Sequence, residues 1–410
     1  MDRGHRDGEA PSSQSRLRTA RSGALLNLIR RGQARTTSEL AAQMGWARST
    51  VAERVDRLTK AGLVKPTTPV TNGRGRPATV LEFNGDGGAV LAVQVGVSGT
   101  RVAVTNLDAQ VRWSRVLDLG IVSPPDRVVT AIHDELVRAC DEIGVDPATV
   151  YGIGIGLPGK VELATAAPAG PEPNSSWLDY PIARRLSAAF GVPAYVDQDV
   201  NLLALGEQRT FWPDADVFVC VKVGTVIGCG LVINGSVVRG AAGLAGEIGH
   251  THVPGRDDRC ACGNRGCLNV VAGGGALAAT LSAAGHDAPS ARDVARLARE
   301  GVVEAAQAVR AAGRDVGTAL ASVINLLNPE VITVWGYLAD AEDHLFTGIR
   351  ESIYHRAVPA ATSRLRVERA RFGDEAGIHG AAMAVIEEVL EPETVDDFLT
   401  GQAAATTRTT

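Results

Sequence analysis

The stretch Ala245–Leu268 reads AGEIGHTHVPGRDDRCACGNRGCL and holds three of the six cysteines in the chain. His250, Cys260, Cys262 and Cys267 follow the pattern H-x9-C-x-C-x4-C. Three thiolates and one imidazole make a standard tetrahedral set for structural zinc. Between them lie Gly255, Arg256, Asp257, Asp258, Arg259, Gly263, Asn264 and Gly266, a polar, turn-rich loop. Such a loop buries little apolar surface and needs another fastener. His252 competes as a ligand, and the plain alternative is a set of loop cysteines beside an unrelated histidine. A metal here ties down Gly243–His250, where the ligand site is expected.

Working outward, 410 residues allow two or three domains, and 45% hydrophobic content with 4% aromatic and 46 Gly fits an Ala/Val/Gly-rich α/β protein. The charge is divided. Residues 1–80 carry 15 Lys+Arg against 6 Asp+Glu, whereas residues 81–410 carry 26 against 40. A basic module on an acidic body points to a polyanion partner for the first part alone. The absence of an 18-residue apolar run, and a charged Met1–Arg21, predict neither a membrane span nor a signal peptide. Cys140, Cys220 and Cys229 read as reduced packing residues of a cytoplasmic, nucleoid-associated protein.

Residues 1–14 read as a disordered tail, and 15–84 as a basic module. Leu17, Leu25, Leu28 and Ile29 predict a helix over about Ser15–Arg31. Thr36-x-x-Glu39 is a capping box for a second helix, which Gly45 breaks. A third, about Ala47–Lys60, buries Val51, Val55 and Leu58 and exposes Arg48, Ser49, Thr50, Arg54 and Arg57. This is the helix-turn-helix pattern. Leu63-Val64 and Thr79–Phe83 read as strands joined by a loop holding Gly73-Arg74-Gly75-Arg76-Pro77, the shape of a wing. Arg48, Ser49, Thr50 and Arg54 are assigned to base or phosphate contacts on double-stranded DNA. Arg74 and Arg76 are assigned to the minor groove.

From Ala89 the pattern turns to β. Ala89–Val97, Arg101–Leu107 and Val111–Leu119 precede a helix (Asp126–Ile143), a strand (Tyr151–Gly156), a helix (Tyr180–Phe190) and a strand (Ala194–Asp197). A second set begins at Val217–Val223, Gly228–Ile233 and Ser236–Val238. Three helical stretches between Ala272 and Leu327, a strand at Val331–Trp335 and a closing helix at Glu375–Val389 follow. Two hairpin-led halves predict a duplicated fold with a cleft between lobes, one at 88–200 closed by helix 375–390 and one at 201–373. Residues 391–410 read as a tail. Around the cleft stand Gly154–Gly159, Asn174 and Trp177, Asp197–Asn201 at a strand end, and Glu247 with His250. Such groups suit a polyhydroxylated ligand. For Asp199 a helix N-cap is the competing role, and for Glu247 a solvated loop position.

Ala245–His250 followed by Cys260-Ala261-Cys262-Gly263-Asn264-Arg265-Gly266-Cys267-Leu268 resembles the ROK family (repressors, open reading frames and sugar kinases), in its repressor branch, over about Arg16–Leu390. The resemblance implies a winged helix-turn-helix followed by a two-lobed actin-like/ribonuclease-H-like sugar-kinase fold, dimeric or tetrameric. It implies that His250 binds zinc and contacts sugar, that Glu247 and Asn174 occupy sugar-binding positions, and that Asp199 matches the kinase base.

Against that family's kinases several positions differ. The first phosphate loop, Asp-x-Gly-Gly-Thr in kinases, is Gln94-Val95-Gly96-Val97 and then Ser98-Gly99-Thr100. The second, Gly-Thr-Gly, is Gly224-Thr225-Val226, and the adenosine segment reads Trp335-Gly336-Tyr337. Phosphoryl transfer rests on positioning and charge neutralisation, so these losses predict no enzyme activity and no bound ATP. Asn269 replaces a kinase Glu beyond the third cysteine, and Gln198 replaces an Asn; both are expected to face an altered ligand. The expectation is a repressor of carbohydrate genes that binds an inverted repeat and answers to a sugar or phosphosugar, with a DNA-binding sugar kinase as the alternative.

Overall fold

Leu25, Leu26 and Ile29 lie on one buried face of the helix Ser22–Arg30 (α1), where a computed structural model describing residues 22–67, 79–97, 99–162, 165–168 and 175–406 begins. The expected start near Ser15 and the tail 1–14 lie outside the described residues. The helix α2 (Thr37–Met44) opens on the capping box: the Glu39 N–H donates to Thr36 Oγ1 at 3.2 Å and the Thr36 N–H to Glu39 Oε2 at 3.1 Å. It ends at Gly45, whose φ of +66° suits glycine. The third helix, α3 (Arg48–Lys60), buries Val51, Val55 and Leu58. Strands β1 (Val64–Thr67) and β2 (Val80–Phe83) then pair antiparallel. The connecting tip, with Arg74 and Arg76, falls outside the described residues.

One expectation is corrected. Arg54 is not on the exposed face: it is 8% exposed, and its guanidinium lies 4.6 Å from the Trp46 ring. A planar cation stacks well on an indole, and that contact turns the side chain inward.

The body holds two sheets of the same topology. In the first lobe, β3 (Ala89–Val95), β4 (Thr100–Asn106) and β5 (Val111–Leu117) form an antiparallel meander. After α4 (Pro125–Ile143), β6 (Val150–Leu157) pairs parallel to β3. A short hairpin of β7 (Val161–Glu162) and β8 (Ala167–Pro168) follows, then α5 (Ile182–Phe190) and β9 (Ala194–Gln198), parallel to β6. Sheet order is β5-β4-β3-β6-β9.

The helix α6 (Asp199–Phe211) leads to the second lobe, where β10 (Val217–Val223), β11 (Ile227–Ile233) and β12 (Ser236–Val237) repeat the meander. A short helix, α7 (Leu268–Ala272), comes next, and then the three expected between Ala272 and Leu327: α8 (Gly274–Ala283), α9 (Ala291–Arg299) and α10 (Val303–Leu327). Strand β13 (Val331–Trp335) pairs parallel to β10. Two elements absent from the sequence reading, α11 (Glu342–Arg356) and β14 (Arg366–Arg369), follow, with the one-turn helix α12 (Pro359–Thr362) between them. Sheet order is β12-β11-β10-β13-β14, the first lobe's pattern again.

The closing helix α13 (Ala376–Val389) crosses α6 at the junction of the lobes. Glycine permits that crossing: a Cβ on Gly380 would stand 1.8 Å from the Leu202 carbonyl oxygen, and one on Gly206 would stand 2.9 Å from Gly380 N. The chain then contradicts a second expectation. Pro392–Thr406 is a helix (α14), not a tail, and it packs on α1. Val395 and Leu399 join the apolar cluster containing Leu25, Leu26, Val55, Val385 and Ile386. The N-terminal module therefore shares one core with the helices that close the first lobe. Trp177 is likewise a core residue, 0% exposed, its indole N–H donating to the Ser123 carbonyl at 2.9 Å.

Candidate functional site

Gly246 and Gly249 let the loop that carries Glu247 and His250 lie flat on β11. A Cβ on Gly246 (φ +90°) would be 1.8 Å from the Cys229 carbonyl oxygen, and one on Gly249 would be 2.2 Å from that of Ile227. Glu247 Oε2 comes 3.7 Å from His250 Nε2, while His250 Nδ1 lies 3.6 Å from Cys260 Sγ. The two ring nitrogens thus face opposite ways, one toward the carboxylate and one toward the cysteines. Burial pushes the Glu247 carboxyl upward; His250 draws it down, and the Asp199 charge adds to the rise.

His250, Cys260, Cys262 and Cys267 bring one ligand atom each within 4.8 Å of one another. Zinc with bonds of about 2.3 Å to sulfur and about 2.0–2.1 Å to nitrogen gives tetrahedron edges of roughly 3.8 Å and roughly 3.5 Å. Cys262 Sγ to Cys267 Sγ is 3.7 Å, matching the first edge, and the His250–Cys260 separation matches the second. Two of the six edges thus match a tetrahedral cation site, and the other four lie within 4.8 Å. His252 does not join them: its Nε2 lies 3.2 Å from the Arg256 carbonyl. The loop is held by backbone bonds from Cys260 N to Asn264 O (2.9 Å) and Val253 N to Gly266 O (2.7 Å). The cysteines Cys140, Cys220 and Cys229 are buried and free, as packing residues are.

Across the cleft, Asp199 is the first residue of α6, and its side chain caps nothing. Its Oδ2 instead pairs with Lys222 Nζ at 2.5 Å, with side chains 4% and 13% exposed respectively. Neighbouring Asp197 accepts from Gln198 N, Asn201 Nδ2 (both 2.7 Å) and Arg239 Nε (2.8 Å). Gln198 Nε2 donates to the Gly243 carbonyl at 2.9 Å. It is buried and engaged, so its amide does not face a ligand as expected. Asn269 is partly engaged: its Oδ1 accepts from Ile227 N at 2.6 Å. Asn174 lies outside the described residues. Lys222 and Arg239 were missed by sequence reasoning. Lys222 left a signal, as the one charge inside the apolar strand Val-Phe-Val-Cys-Val-Lys-Val.

In the loops after β3 and β10, two backbone donors are bonded within their own loops. Gly96 N donates to Gly99 O (2.8 Å) and Gly224 N to Val226 O (3.2 Å). Gln94 packs its amide against Gly377, where a Cβ would meet it at 2.2 Å. A cavity of about 1320 Å³ lies at the junction of α1, β9, the β11–β12 turn and the end of α13, and it is lined by Asn27, Arg30, Asp197, Arg239 and Glu387 among others.

In the N-terminal module, Arg48 and Ser49 are exposed at the start of α3 and Thr50 is half-buried. Arg57 is tied to Glu53 at 2.9 Å. Basic and hydroxyl groups at a helix N-terminus suit phosphate and base-edge contacts.

The family model described as "ROK family" matches residues 90–388, and one described as "Helix-turn-helix domain" matches residues 23–67. A putative xylose repressor of Caldicellulosiruptor sp. (strain Rt8B.4) is 30% identical over 364 residues, covering 84% of this chain and 89% of that protein. A crystal structure of a ROK family transcriptional regulator, homolog of the E. coli MLC protein, superposes with a TM-score of 0.77 at 27% identity, covering 94% and 99% of the two chains. The ROK hexokinase of Thermus thermophilus gives 0.60 at 30% identity, covering 73% of this chain and 99% of that one.

Proposed function

Because the chain belongs to the ROK family and carries a helix-turn-helix ahead of its two lobes, we propose that it is a DNA-binding transcriptional repressor of carbohydrate-metabolism genes. Its effector is a small sugar or phosphosugar bound between the lobes. The observation that carries this reading is the shared core: helix α1 of the DNA module, α13 and α14 bury one another's apolar faces. A change in lobe closure is then felt at the recognition helix. Relatives described as xylose repressors and as the repressor Mlc support the same reading.

In this reading Arg48, Ser49 and Thr50 meet the operator, with Arg74 and Arg76 on the wing, while Arg54 acts through Trp46 by fixing the turn before α3. A homodimer or homotetramer places two recognition helices on an inverted repeat, one helical turn or a multiple apart. Glu247, Asp199 and His250 hold sugar hydroxyls. His250, Cys260, Cys262 and Cys267 hold a structural Zn²⁺, which orients the imidazole so that Nε2 serves the cleft. Phosphoryl transfer is left out of this reading, which two internally bonded donors of the phosphate-loop segments, Gly96 N and Gly224 N, support.

The test is to sequence DNA recovered with the protein and then challenge the complex with a panel of sugars and phosphosugars. Release by one of them is the expected result. Specific fragments that no sugar releases would end the effector half of the reading. The alternative, a sugar kinase that also binds DNA, is favoured by Asp199 standing near Glu247; a coupled ATPase assay over the same panel decides it, and turnover above background would select it.

A further inference from the structure

Lys222 belongs to no motif named above, yet its ammonium is paired with Asp199 in the candidate site. Asp199 reaches it from the start of α6, and Trp335 lies across it with the ring centroid 6.0 Å from Nζ. An ammonium has three donors, and burying one without acceptors is costly. Among the described residues Asp199 is the single hydrogen-bond partner of Lys222 Nζ, at 2.5 Å. Two donors remain on a side chain that is 13% exposed.

We propose that Lys222 grips the effector, donating its remaining N–H groups to oxygens of a bound sugar while Asp199 holds the ammonium in place. This rests on reading the cleft as a sugar site. The acceptors are hydroxyl or ring oxygens of an uncharged sugar, not a phosphate ester. Lys222 is paired with Asp199, and the cation Arg239 with Asp197. A phosphate dianion brought to this spot meets no uncompensated positive charge from either pair. The Lys222–Asp199 pair occupies one oxygen, Oδ2, of the residue that the kinase resemblance assigns as the base.

The test is calorimetric titration of the full chain with aldopentoses, aldohexoses and N-acetylhexosamines, with glucose 6-phosphate alongside, then with the monodeoxy forms of the sugar that binds. Lys222→Met is titrated in parallel, on protein that retains its metal and unfolds cooperatively. The expected result is that free sugar binds more tightly than the phosphate and that Lys222→Met loses about tenfold or more, as for a hydrogen bond to a charged group. One monodeoxy form should cost the unmutated protein about tenfold and cost the variant almost nothing. If Lys222→Met does not fold, Lys222→Arg takes its place, with the penalty for that deoxy form expected to change. Equal penalties in both proteins at every deoxy position would overturn the grip and leave Lys222 a structural partner of Asp199. Tighter binding of glucose 6-phosphate would overturn the choice of an uncharged ligand. No binding by the unmutated protein across the panel would overturn the sugar reading itself, and the inference with it.

Discussion

Gly23, in α1, donates its backbone N–H to Asp396 Oδ1 at 3.0 Å, which joins α1 to α14. The approach is close: a Cβ on Gly23 would stand 2.1 Å from the Pro392 carbonyl oxygen. Helix α14 thus acts as the far wall of the DNA-binding module, with Val395 and Leu399 buried against it.

A chain ended after Glu391 should therefore lose more than a tail. Removing buried apolar side chains of this size costs about 1–4 kcal/mol each. The unfolding temperature should fall, and operator binding should fall with it, although every residue of α3 remains. Calorimetry and operator titration of the truncated chain check this, and unchanged values for both would show that α14 is dispensable.

Arg48 and Arg54 should fail differently. Arg48 is exposed, so Arg48→Ala should weaken operator binding and lower the slope of log K against log salt by about one, as for one lost phosphate contact. Its thermal stability should stay within about 0.5 kcal/mol of the parent. Arg54 lies on Trp46, so Arg54→Ala should lower stability by about 1 kcal/mol as well as weakening binding. Paired salt titrations and melting curves separate the two.

The sequence made the sheet meanders and the helix-turn-helix legible because both depend on local pattern. Val217–Val223 and Val331–Trp335 are found with the expected ends, as alternation and length require. Residues that depend on distant partners were not legible. Arg54 looked like any charge at helical spacing until Trp46 stood beside it. Gln198 looked like a cleft amide until the Gly243 carbonyl occupied it. Helix α14 was misread because its partners lie more than 350 residues away, in α1. The zinc-type cluster was legible because its ligands are close in sequence and chemically rare.

Glu207 offers a pH signature. It is fully buried, and its Oε1 accepts from the backbone of Arg371 (2.6 Å) and Phe372 (2.8 Å), while Oε2 has no partner among the described residues. Burial raises its carboxyl above the ordinary range more than those donors lower it. The folded state then binds a proton at a pH where the unfolded chain has released it. Stability from this group is present at low pH and is lost as pH rises from the ordinary carboxylate range through the raised value. Glu207→Gln keeps the accepting oxygen and should flatten that part of the profile. Urea midpoints of both proteins between pH 4 and 8 measure the difference, and parallel profiles would refute it.

The metal cluster should matter to the effector before it matters to DNA. His250 turns Nδ1 to the cysteines and Nε2 toward Glu247, so a cation held by the four would fix the ring and its loss would free it to turn. Cys260→Ser or Cys262→Ser should lower bound zinc and remove the sugar response together, while operator affinity without sugar stays within about threefold, or roughly 0.7 kcal/mol. Metal content by mass spectrometry and operator release by sugar are the two readings. A zinc-free protein that still responds to sugar would separate the cluster from the cleft.

Arg239 and Gln198 give a test of how the cleft reaches the DNA module. Through Asp197 and the Gly243 carbonyl they fasten the start of the Glu247 loop to β9, and β9 also walls the junction cavity that α1 lines. Neither side chain is placed against the sugar. Arg239→Ala should thus bind sugar within a few-fold of the parent, yet release operator only at much higher sugar concentration. The quantity to measure is the coupling free energy, from operator affinity with and without saturating sugar, which is about 1–3 kcal/mol in coupled systems of this kind. It should shrink in the variant. A variant whose sugar affinity collapses instead would place Arg239 in the ligand site, and one with full coupling would take β9 out of the path.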